Sequence, residues 1–70
     1  MEKTVERNKK IEKEFIRRMA MHVQNESFII SSLRLMDTDE LRINIIEYLK
    51  KHPAADRREI EGKMFYLAIR

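Results

Sequence analysis

The sequence predicts an all-α protein, a small bundle of three to four helices completed by dimerisation, and three observations predict it. Its 70 residues include one glycine and one proline, too few for the turns of a β-architecture. Charged residues (39%) and apolar residues (43%) are interleaved along the chain at helical spacing. A chain this short forms one domain and buries only about 60% of the surface its unfolded form exposes, so its core is marginal. The absence of cysteine removes the disulfides and thiolate metal sites that usually reinforce such cores. Self-association is the remaining common reinforcement. The expected organisation is a single helical domain over residues 1–70, with helices at about 4–23, 26–36, 38–51 and 56–69.

In the first helix Ile11, Phe15, Met19 and Val23 recur at steps of four, and Ile16 and Ala20 widen the stripe. Glu6 with Lys10, and Glu14 with Arg18, stand four apart in the favourable order. "QNES" at 24–27 has low helix propensity and offers Asn25 as an N-cap, which predicts a break before the second helix. A single helix from 4 to 36 is the alternative. Within the second helix Ile29, Leu33 and Met36 line one face and Phe28 and Leu35 flank it. Ser31, Ser32 and Arg34 mark the polar side.

"MDTDEL" punctuates the chain next, with Asp37 as N-cap and Glu40 three residues on, and with Asp39 and Glu40 in the first turn where the helix dipole favours negative charge. Leu41, Ile45 and Leu49 form the spine of the third helix, with Ile46 and Tyr48 beside it and Lys50 and Lys51 in the last turn. Pro53 stops that helix, since the residue before a proline is biased out of the helical region. Asp56 with Glu59 repeats the capping signature for a fourth helix, whose inner face is Ile60, Met64 and Leu67. Gly62 within it costs about 1 kcal/mol relative to alanine. It predicts either a close neighbour or the point where the helix gives way to extended chain.

The fourth helix ends in six consecutive apolar or aromatic residues, Met64 to Ile69. Six residues at about 100° each ring a helix completely, and as a strand they leave both faces apolar. Short neighbouring helices cover one side, unless the first helix and residues 28–36 wrap the tail. The expected cover is a protein partner, most simply a second copy in a two-fold dimer or else a larger protein. The interface is then Phe65, Tyr66, Leu67 and Ile69, with Phe28 and Ile30 as further anchors. Five methionines suit either an adaptable contact surface or plain core filling.

Other function classes find less in the residues. His22 and His52 are the histidines, neither with a catalytic partner at a spacing that would place it nearby, so no enzyme is expected and no catalytic residue is assigned. His22 and Glu26 stand four apart, but two ligands do not make a metal site. Asp37, Asp39 and Glu40 lack the glycine and distal glutamate of an EF-hand, and "EGK" followed by Met is not a phosphate loop. No cofactor, metal or small-molecule substrate is expected. The longest apolar run is far below the roughly 18–20 residues that span a bilayer, and "MEKTVERNKK" lacks a signal-peptide core, which predicts an unexported, cytoplasmic protein with no membrane role.

Net charge is +3, and residues 1–18, with seven Lys/Arg against four Glu, account for all of it. The alternative function is therefore a dimeric nucleic-acid-binding regulator, with Lys9, Lys10, Lys13, Arg17 and Arg18 on phosphates. The stretch "ELRINIIEYLKKHPAADRREIEGKM" also resembles the opening of a helix-turn-helix or winged-helix domain. The resemblance implies a basic recognition helix after Met64, where this chain has only "FYLAIR".

Overall fold

The computed structural model describes residues 2–69, with side chains from Lys9 onward. Every regular element among them is an α-helix: α1 Glu2–His22, α2 Glu26–Leu35, α3 Asp39–Lys51 and α4 Arg57–Ala68. The chain does break after His22. Asn25 adopts an extended backbone, and its side-chain oxygen accepts the Phe28 amide at 3.0 Å, satisfying one of the donors a helix start leaves open. Asp56 caps α4 in the same way, accepting the Glu59 amide at 3.0 Å. At α3 the cap is Thr38 rather than the expected Asp37: its hydroxyl accepts the Leu41 amide at 3.2 Å. Asp37 lies one residue too early to reach that turn and is exposed.

The helices converge on one core. α1 contributes Phe15 and Met19, α2 Phe28 and Ile29, α3 Ile45, Ile46 and Leu49, and α4 Ile60, Met64 and Leu67, while Met36 and Ala55 fill it from the connections. α3 packs chiefly on α1, and α4 lies against α3 and α2. Three of the five methionines are therefore core. Ser32, expected on the polar side of α2, is buried with them. It stands four residues from both Phe28 and Met36, and its hydroxyl donates to the Phe28 carbonyl at 2.8 Å, which makes burial affordable.

His22 and Arg42 are polar side chains that join one element to another. His22 Nδ1 is 2.9 Å from the Ala55 carbonyl, tying the end of α1 to the α3–α4 connection. Arg42, on the inward-turned side of α3, donates from Nε to the Met36 carbonyl at 2.7 Å and from a terminal nitrogen to the Leu33 carbonyl at 3.1 Å. These are acceptors that the end of α2 leaves open. The same guanidinium lies 3.8 Å from the Glu12 carboxylate of α1. Of the two ion pairs expected along α1, Glu14–Arg18 is formed at 3.0 Å, and the Glu6 side chain lies outside the described residues.

Candidate protein interface

α4 is helical to Ala68, so its apolar ring forms and divides. Ile60, Met64 and Leu67 face inward and are buried. On the opposite side Arg58, Gly62, Phe65 and Ile69 follow one another at steps of four, three and four, which makes them a single stripe, with Tyr66 beside it. Phe65 is 53% exposed, Tyr66 55% and Ile69 83%. Among the described residues Gly62 has no close packing neighbour, since a Cβ built on it would meet nothing within 4 Å, and the helix runs through it without a break.

The six expected anchors do not form one patch. Leu67 is covered by the core of its own chain, because it falls on the same side of α4 as Met64 and Ile60. Phe28 is likewise a core residue. Its ring lies under the Arg57 guanidinium, 5.0 Å from the centroid, and it reaches the surface only as an edge of a shallow groove of about 110 Å³ between α2 and α4 that Phe65 and Leu35 also line. Ile30 is 44% exposed but belongs to a different groove, about 490 Å³ between α1 and α2, walled by Ile16, Ala20, Ile29 and Leu33. This second apolar recess went unread in the sequence. Its signal was the pair Ile16 and Ala20, four apart on the edge of the α1 stripe.

On the α3 side of the stripe, the Lys63 ammonium sits between two phenol rings, 5.3 Å from the Tyr66 centroid and 5.5 Å from that of Tyr48. The Tyr48 ring in turn stacks on His52 at 4.4 Å. The rim of the stripe is thus cationic and aromatic, and aromatic residues are enriched at protein interfaces. The chain exposes 5395 Å² in total, against about 4,700 Å² for a compact monomer of its mass.

The basic residues of α1 are placed less uniformly than their sequence suggests. Lys9, Lys10 and Lys13 are exposed. Arg17 and Arg18 both bind the Glu14 carboxylate, at 2.6 and 3.0 Å, and hold its pKa below the usual carboxylate range, the Arg17 bond being the larger cause. Among the described residues no group of three or more His, Cys, Asp and Glu could hold a metal ion, and no helix is long and apolar enough to cross a membrane. No further helix follows α4 among them to play the recognition helix of a helix-turn-helix domain.

Compared with protein-family models, with curated proteins and with solved structures, the chain finds no match.

Proposed function

We propose that the protein is a small non-enzymatic regulator or adaptor that acts by protein–protein contact through the outer face of α4, by pairing with its own kind or by docking on a larger protein. The observation that carries this reading is the exposure of Phe65, Tyr66 and Ile69 on a helix already anchored through its other side. Aromatic side chains held on a rigid helix are the usual energetic centre of an interface, because little side-chain freedom remains to be lost on binding. Both histidines have structural neighbours, His22 the Ala55 carbonyl and His52 the Tyr48 ring, which fits a non-catalytic chain.

The test is a solution mass by light scattering on the wild type and on Phe65→Asp, with circular dichroism to show that both are folded. A concentration-dependent mass above one chain that the variant loses, while Lys10→Glu with Arg17→Glu keeps it, is the expected result. A wild type that stays at one chain at every concentration, and retains from lysate only what Phe65→Asp also retains, overturns the reading. The nucleic-acid alternative rests on three exposed lysines of α1. It requires retardation of a DNA or RNA probe at low salt that disappears steeply as salt rises.

A further inference from the structure

We infer that the occupant of the outer face of α4 is the α4 of a second copy, packed antiparallel about a two-fold axis that passes beside Gly62. The inference rests on the contact reading above and commits it to one partner and one register.

Glycine weakens a helix interior, and among the described residues no packing neighbour requires it at position 62: none lies within 4 Å of where a Cβ would stand. The position is nevertheless at the centre of the exposed stripe, between Arg58 on one side and Phe65 and Ile69 on the other. A missing side chain there lets a second helix backbone approach closely, and a two-fold axis brings the two glycines face to face, so both chains benefit from the same residue.

The rest of the face is complementary to its own inverted copy. At 1.5 Å of rise per residue, antiparallel pairing about Gly62 sets Phe65 within roughly 1.5 Å, along the axis, of the partner's Arg58. This repeats between chains the Arg57–Phe28 pairing already present within one. On the other flank Tyr66 and Lys63 fall within roughly 1.5 and 3 Å, along the axis, of the partner's Glu59. The ammonium and the phenol thus lie on the same flank as the partner's Glu59 carboxylate and close to its height. A parallel two-fold arrangement instead sets each residue level with its own twin, so that Arg58 on the stripe faces Arg58 and Phe65 loses its cation.

The area is adequate. With large aromatic side chains carrying about 150–250 Å² each, half of Phe65 and Tyr66 plus most of Ile69 is roughly 350 Å² per chain. The stems of Arg58, Glu59 and Lys63 bring the pair to about the 1,000 Å² that specific interfaces clear. Contact on this scale forms a reversible dimer.

The chain has no cysteine, so single-cysteine variants report the register directly. Gly62→Cys is expected to form an intermolecular disulfide on mild oxidation. Ile69→Cys, seven residues or roughly 10 Å from the axis and so about 20 Å from its copy, is expected to link at least tenfold more slowly. Equal linking at the two positions, or none at Gly62, overturns the register. In that event a mass above one chain that Phe65→Asp still abolishes leaves the broader contact reading standing, whereas a wild type that stays at one chain removes the second copy as partner. A Gly62→Leu variant, which meets open space within its own chain, is expected to stay folded and lose the dimer, and a Gly62→Leu dimer as tight as wild type counts against the close approach.

Discussion

α3 and α4 are nearly the same helix on the inside and different helices on the outside. They have 13 and 12 residues, each begins at a side-chain cap from Thr38 or Asp56, and each buries three residues, Ile45, Ile46 and Leu49 or Ile60, Met64 and Leu67. Outward, α3 presents Asn44, Glu47, Lys50 and Lys51 with one exposed Ile43, whereas α4 presents Gly62, Phe65, Tyr66 and Ile69. The inner faces show what holds the chain together. The outer faces differ in kind: α3 turns mainly polar side chains to solvent, and α4 turns the exposed Phe65, Tyr66 and Ile69 to it, the side on which the proposed partner is placed.

If the inner faces are equivalent, Ile45→Ala and Met64→Ala should each cost about 2–5 kcal/mol, the usual range for emptying a packed core site, as read from urea unfolding. A loss near zero at Met64 would mean that α4 is not anchored, and the comparison would collapse. A smaller effect probes the starts of the two helices: Thr38→Ala and Asp56→Ala each remove the acceptor for one amide and should cost about 1 kcal/mol. A larger loss at Asp56 would show that α4 depends more heavily on its local cap than α3 does.

The smallest expected effect sharpens the contrast with α1, whose outer face is built for water. The Glu14 carboxyl is held below its ordinary range by Arg17 and then Arg18. A depressed carboxylate contributes fully above its unfolded pKa and loses that contribution as pH falls through the folded value. The urea midpoint of wild type should therefore exceed that of Glu14→Gln by a small, constant margin above about pH 5, and the margin should close in acid. A margin that grows on acidification would contradict the pairing.

Much of this architecture is legible in the residues because it is local. Steps of three and four identify the inner residues of α1, α3 and α4, Asn25 and Asp56 each reach an amide three residues ahead, and Pro53 closes α3. What escapes is either a one-residue choice or a tertiary one. Asp37 and Thr38 are adjacent capping residues, and only the backbone path selects the second. Ser32 reads as polar until its hydroxyl is seen bonded to its own helix. The run Met64 to Ile69 predicts that neighbouring helices cover only one side of the tail, yet which of its residues turn outward depends on where α2 and α3 meet α4. Hence Leu67 and Phe28 went to the core and Ile30 to another groove.

Arg42 has a consequence for how the molecule opens. Its guanidinium holds two carbonyls at the end of α2 from a position on α3, with Glu12 of α1 close by. The last turn of α2 is therefore held by bonds that a freely fraying helix end lacks. Its amides should exchange with solvent only when α3 swings away, which joins a ten-residue helix and its neighbour into a single cooperative unit.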